Sequence, residues 1–116
     1  MERKYRSRLL LLREWRSVVR SILQAVEGLY PEAEVYLIGG VAENRTTVNS
    51  DVDIAIVFKS SLSKNSRISI LTRIWESIED AVPMYYPLEI HVLDVNEFAK
   101  LKGRKVKLSK TASRLL

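Results

Sequence analysis

The sequence predicts an α/β (α+β) domain: a small mixed β-sheet of three to four strands with helices packed on it. Segments whose apolar residues recur at helical spacing alternate with short β-branched runs along the chain. A length of 116 residues supports one modest core but not two. The longest apolar segments are strand-sized, well short of the ~20 residues that a membrane span needs.

Residues 3–28 read as a helix, with Leu9, Leu12, Val19, Ile22 and Val26 on one stripe and arginines between them. Gly28 is the expected stop, with Pro31 just beyond. Residues 34–38, "EVYLI", form a first strand that runs into Gly39 and Gly40. One or two helical turns and a polar loop fill residues 41–49. Residues 52–58, "VDIAIVF", are nearly unbroken in apolar character, as expected of a strand covered on both faces. A serine-rich loop offers caps for a helix over 66–81, with Ile70, Leu71, Ile74, Trp75 and Ile78 on one face and Pro83 after it. Residues 88–93, "LEIHVL", alternate as a third strand. A short helix follows, with Asp94 or Asn96 near its cap and Gly103 at its end. Residues 1–103 therefore read as a single domain and residues 104–116 as a basic C-terminal tail without a clear period. Trp15 and Trp75 fall on apolar helix stripes and are expected in the core or at an interface. Tyr85 and Tyr86, between Pro83 and Pro87, are expected in a turn packed on the core.

Composition excludes several classes. The chain has no cysteine, so it has neither disulfides nor thiolate metal sites, a usage that fits a cytoplasmic protein. Its single histidine, His91, excludes a multi-histidine metal site. The start "MERKYRSRLLLLREW" carries too short an apolar run for a secretory leader and reads as a mature start. The net charge of +5 is unevenly spread: +4 over residues 1–28, −6 over 29–97 and +7 over 98–116. An acidic middle between basic ends suits a cation site inside and a polyanion partner outside.

The chemistry lies in residues 37–58, "LIGGVAENRTTVNSDVDIAIVF". Strand alternation puts Asp51 and Asp53 on one face, roughly 6.5–7 Å apart along the chain. Like charges so close weaken a sheet, and a divalent cation removes the conflict. In the third strand Glu89, His91 and Leu93 share a face, and Glu89 reaches the aspartates if the two strands are neighbours. Three carboxylates at adjacent strand ends form a hard-oxygen site for Mg²⁺ or Mn²⁺. The Gly39–Gly40 pair lets backbone approach a ligand, and a helix starting there aims N–H groups at phosphate. Together these parts suit in-line displacement on a triphosphate, with two ions about 3.5–4 Å apart. His91 reads as a hydrogen-bonded structural histidine rather than an acid–base group.

This run resembles the signature of the minimal nucleotidyltransferases (MNT domains) of the DNA polymerase β-like superfamily. That signature has a strand ending in Gly-Ser or Gly-Gly, then about ten residues, then Asp-hydrophobic-Asp opening the next strand. Here Gly39-Gly40, residues 41–50 and Asp51-Val52-Asp53 match it, with Ser50 where the family often has serine. Glu89 matches the third family carboxylate, and the resemblance spans roughly residues 9–102. It implies the polymerase β-like nucleotidyltransferase fold and transfer of a nucleoside monophosphate, often AMP from ATP, to a hydroxyl acceptor. It further implies Asp51 and Asp53 as ligands of both ions, and Glu89 as a further ligand or the base toward the acceptor. Gly39 and Gly40 would cradle the β- and γ-phosphates, with Ser50 and Arg45 beside the nucleotide. The sequence departs from the family at Gly40, where serine is commoner, at Glu43, where many members have arginine, and at Glu89, where aspartate is usual. Arg45, two residues on, is the candidate substitute for the missing arginine.

Many minimal members are antitoxins paired with a HEPN-domain toxin, and some inactivate it by adenylylation. The resemblance thus carries an alternative: a weakly active or inactive antitoxin-type protein that acts by binding a HEPN-like toxin. A domain this small has no evident acceptor lobe, so a homodimer or a partner is expected to complete the cleft. Nucleic-acid binding through the basic ends ranks last, because it leaves the acidic centre unexplained.

Overall fold

The structure, a computed structural model, describes residues 15–42, 51–83 and 85–108. In chain order these form α1 (Trp15–Leu29), β1 (Glu34–Ile38), α2 (Gly39–Ala42), β2 (Val52–Phe58), α3 (Lys64–Ile78), β3 (Leu88–Asp94), α4 (Val95–Lys100) and β4 (Val106–Leu108). The first part of the expected 3–28 helix lies outside the described residues, as do Glu43, Arg45 and Ser50.

The four strands form one mixed sheet in the order β3-β2-β1-β4. β1 pairs antiparallel with both β2 and β4, whereas β2 and β3 run parallel. The parallel pair needs a crossover, and α3 provides it. One face of the sheet presents Val35, Leu37, Ile54, Ile56, Ile90, Val92 and Leu108, all buried. Against it α1 packs Val19, Ile22 and Val26, and α3 packs Ile70, Ile74 and Ile78, four residues apart along one stripe. Ile22, Ile54, Ile56 and Ile74 are fully buried, and each contributes about 1.5–3 kcal/mol through water exclusion. Trp15 and Trp75 border this core. The tyrosine pair divides, with Tyr86 buried and Tyr85 75% exposed.

The other face behaves differently along its length. α4 packs on β2 and β3, and the Phe98 ring lies 4.3 Å from that of Tyr36 on β1. Ala55 and Val57 are buried on this side, and Asp53 is the one residue of β2 that is not buried. The sequence expectation of a strand covered on both faces therefore holds except at the end where Asp53 sits.

Element ends differ from expectation for local reasons. α1 continues through Gly28 to Leu29, since positive φ among the described glycines occurs only at Gly39 and Gly103. Gly28 is no left-handed cap, and the helix ends one residue later at Leu29, with Pro31 in the turn beyond. α3 starts at Lys64 because Ser63 caps it, its Oγ accepting from the Ser66 amide at 3.1 Å. It ends at Ile78, whose carbonyl accepts from the amides of Ala81 and Val82. Asp94 caps α4 through a reciprocal box with Glu97, with bonds of 2.9 and 3.0 Å. α4 stops at Lys100 rather than Gly103, and Gly103, at φ 94°, turns the chain toward β4.

The expected basic tail is corrected at its start. Residues 106–108 form an edge strand, with Leu108 buried and Lys107 Nζ 2.6 Å from Glu34 Oε2. Three residues are too few to display a period, so neighbouring lysines mask the alternation. A lysine facing outward from a short edge strand also discourages pairing with other chains.

Candidate functional site

Strand register assembles the site. The antiparallel β1–β2 pair sets Ile38 opposite Asp53, so Gly39, the next residue, lies beside the Asp53 side chain. The parallel β2–β3 pair sets Asp53 opposite Glu89 and Ala55 opposite His91. Partners in register project on the same face, so Asp53, Glu89 and His91 emerge together at an end of the sheet that no described residue fully covers.

His91 Nε2 lies 3.4 Å from Asp53 Oδ1 and 3.7 Å from Glu89 Oε1. The side chains are 34% exposed at His91, 23% at Asp53 and 58% at Glu89, a gradient from an inner carboxylate to an outer one. Among the described residues these three form a group able to hold a metal ion, their ligand atoms all within 4.8 Å of one another. Burial pushes the Asp53 carboxyl above the ordinary aspartate range. The charges of Glu89 and Asp51 push it the same way, against the hydrogen bond and charge of His91. An acid held up by its neighbours' negative charge favours a bound cation, which stabilises the ionised form.

Gly39 has a second role beyond the one the sequence suggests. Its φ is +71°, and a Cβ built there would overlap Asp53 Oδ2. The missing side chain is what allows the Asp53 carboxylate its position against the β1 turn. Gly40 follows as the second residue of α2, half-buried.

The structure thus brings together Asp53, Glu89 and Gly39 from the sequence-derived set. Asp51 stands one residue before β2, exposed, with its charge felt at Asp53. Arg45 and Ser50 lie outside the described residues. His91 is hydrogen-bonded, as the sequence predicts, with Nε2 paired to Asp53 Oδ1 at 3.4 Å, and its ring lies beside Glu89 as well. The available signal was its spacing of two from Glu89 on one strand face.

The sequence profile of the nucleotidyltransferase domain matches residues 19–113, most of the chain. The chain belongs to the nucleotidyltransferase domain family. The matched span includes Gly39–Gly40, Asp51, Asp53, Glu89 and His91, and it extends past β4. Two solved structures share the fold of this nucleotidyltransferase domain. A candidate nucleotidyltransferase from Sulfolobus solfataricus is 23% identical, with a TM-score of 0.56 over 90% of this chain and 84% of that one. A second candidate nucleotidyltransferase is also 23% identical, with a TM-score of 0.63 over 80% of this chain and 99% of that one. A toxin–antitoxin structure with AMP-PNP aligns at 14% identity and a TM-score of 0.48, too distant to argue from. No curated protein matches the chain. Among the described residues, no helix is long and apolar enough to cross a membrane.

Proposed function

We propose that this nucleotidyltransferase domain transfers a nucleoside monophosphate, AMP from ATP in the first instance, to a hydroxyl acceptor with a divalent cation bound. The observation that carries the reading is the register pair Asp53–Glu89, two carboxylates on adjacent parallel strands beside a glycine whose missing Cβ makes room for one of them. The donor set fits a hard dication, since carboxylate oxygens suit Mg²⁺ and Mn²⁺. Asp51, Asp53 and Glu89 would hold the ions. When bound, the ions would neutralise charge on the triphosphate and on the departing pyrophosphate.

The chain's own residues account for the remaining steps. The Gly39–Gly40 backbone would seat the β- and γ-phosphates, with Arg45 and Ser50 flanking the nucleotide. In the reaction the acceptor oxygen bonds to the α-phosphorus, and the bond from that phosphorus to the bridging oxygen breaks. Pyrophosphate leaves with the electron pair. In the alternative role that the resemblance implies, as base rather than ligand, Glu89 would take the hydroxyl proton, being the most exposed of the three clustered side chains and the one able to return it to solvent.

Label transfer from α-³²P-ATP to protein or to small hydroxyl acceptors tests this. The expected result is transfer that requires Mg²⁺ or Mn²⁺ and is abolished by Asp53→Asn. Transfer that survives this substitution, or a wild-type chain that neither binds ATP nor transfers label, would overturn it. A HEPN-type partner still neutralised by the doubly substituted Asp51→Asn/Asp53→Asn chain would place the function in binding rather than catalysis.

A further inference from the structure

We infer that His91 is a ligand of the ion held by Asp53 and Glu89, and that this imidazole makes the site select transition-metal dications over Mg²⁺. The inference rests on the proposed metal-dependent reading and adds a nitrogen ligand to its carboxylates.

The geometry suits a ligand better than a tight hydrogen-bond partner, since the bond between His91 Nε2 and Asp53 Oδ1 is long. Nε2 is directed between two carboxylates, at 3.4 Å from Asp53 Oδ1 and 3.7 Å from Glu89 Oε1. A charge-assisted N–H···O bond closes to about 2.7–2.9 Å, and even a neutral one seldom exceeds about 3.2 Å. Neither contact is that short. Donors around a first-row dication lie about 2.1 Å from it, which puts neighbouring donors roughly 3.0–3.4 Å apart. Nε2 stands within a few tenths of an ångström of that spacing from each carboxylate, and all three ligand atoms lie within 4.8 Å of one another, so closing the shell asks most of the exposed Glu89. An ion at the centre then takes the place of any Nε2 proton.

The surroundings keep the three donors converged. Gly39 leaves room for Asp53 Oδ2 on one side. Ala55, opposite both Tyr36 and His91, has a small side chain, so the row Tyr36–Ala55–His91 leaves the imidazole free to lean toward Asp53. A site of three carboxylates is a hard donor set and suits Mg²⁺ as well as Mn²⁺. One imidazole among oxygens shifts preference toward Co²⁺ and Zn²⁺, and more weakly toward Mn²⁺, since Mg²⁺ binds nitrogen poorly.

His91 is the chain's only histidine, so an imidazole signal from untagged protein reports on this residue alone. The test is pulsed electron paramagnetic resonance of bound Mn²⁺, with calorimetric titration of Mn²⁺, Co²⁺ and Mg²⁺. Nitrogen coupling to Mn²⁺ is expected in the wild-type chain and absent in His91→Gln. Affinity for Co²⁺ should fall about 10- to 100-fold in His91→Gln, the range seen when ligand support is lost, while Mg²⁺ affinity stays within about twofold. Absence of nitrogen coupling in the wild type overturns the inference, and that measurement holds even if the variant fails to fold. An unchanged Co²⁺-to-Mg²⁺ ratio in folded His91→Gln also overturns it, leaving His91 as a hydrogen-bond partner of Asp53. Asp53→Asn separates this inference from the reading beneath it. Loss of all ion binding in Asp53→Asn supports the carboxylate site whatever His91 does, whereas unaltered binding there removes both.

Discussion

Replacing Gly39 with alanine should damage stability and ion binding together, for two separable reasons. At φ +71° an alanine occupies the left-handed region, at a cost of roughly 1–2 kcal/mol. Its Cβ would also overlap Asp53 Oδ2, so either the β1 turn or the carboxylate must move. A displaced Asp53 sits in register with Glu89 but no longer converges with it and His91. We expect a total loss of about 2–3 kcal/mol, or a fall in Tm of at least about 6 °C for a domain of this size. Affinity for Mn²⁺ should drop by about 10-fold or more. Asparagine tolerates positive φ better than alanine does, so Gly39→Asn should recover part of the stability and none of the ion affinity. Gly28→Ala is the control. Nothing lies within 4 Å of a Cβ at that helical position, and the substitution should stabilise by about 0.5–1 kcal/mol. Thermal melts and calorimetric Mn²⁺ titrations of the three variants decide the matter. Wild-type ion affinity in folded Gly39→Ala would refute the claim that the glycine exists to admit the Asp53 carboxylate.

Three further outcomes follow from the same geometry. Burial and the negative charges of Glu89 and Asp51 hold Asp53 above the ordinary aspartate range, so its ionisation costs the folded state more than the unfolded one. That penalty is absent below the unfolded carboxyl pKa and develops as pH rises through the higher folded value. Without metal, Asp53→Asn should therefore melt higher than wild type at neutral pH and not at pH 3, while the wild type alone gains Tm on adding Mn²⁺. Equal melts of the two proteins at both pH values would contradict this. Arg67 joins α3 to the start of α4, with Nη1 donating to the Val92 carbonyl at 3.0 Å and Nη2 2.7 Å from Glu97 Oε1. Arg67→Ala should remove about 1 kcal/mol through the lost carbonyl bond, read as a lower urea midpoint at unchanged slope. Leu108→Ala should cost about 2–3 kcal/mol, since the side chain is buried against Val35. A melt unchanged by that substitution would return residues 106–108 to the status of a tail.

How much of this was legible in the sequence depended on how local each signal was. β1 and β2 were found at their observed bounds, because each is a β-branched run closed by a glycine pair or a polar loop. The Asp53–Glu89 pairing was conditional in the sequence, since strand alternation fixes the face of a residue but not which strand lies beside it. The register supplied the neighbour. β4 escaped notice because three residues between lysines show no period, and its reason for pairing, a buried Leu108 and the Lys107–Glu34 contact, lies some seventy residues away in the chain. His91 reads from the sequence as a hydrogen-bonded structural residue, and the hydrogen bond is there, but the sequence does not name its partner. Only the parallel neighbour, with Ala55 opposite the ring and Asp53 two residues earlier, turns it toward the carboxylates.

The sheet order explains why Asp53, rather than another acid of the chain, occupies the centre of the site. A residue on an edge strand has one lateral neighbour, whereas a residue on β2 has two. The antiparallel β1–β2 pair brings the end of β1 against the beginning of β2, which delivers Gly39 to Asp53. The parallel β2–β3 pair brings the beginning of β3 against the beginning of β2, which delivers Glu89 and then His91. If both pairs were antiparallel, the far end of β3 would lie beside Asp53, and Leu93 and Asp94 would replace Glu89. Asp94 cannot serve there, since its side chain caps α4. Exchanging the acids along β3 tests the point directly. Glu89→Leu combined with Leu93→Glu keeps composition and net charge and retains an acid on the same face, but moves it four residues, or about 13 Å, along the strand. Ion binding should be lost even though the charge is conserved. Retained Mn²⁺ affinity in that folded double variant would mean that Glu89 is not a ligand and that Asp53 draws its ion partners from His91 or from outside β3.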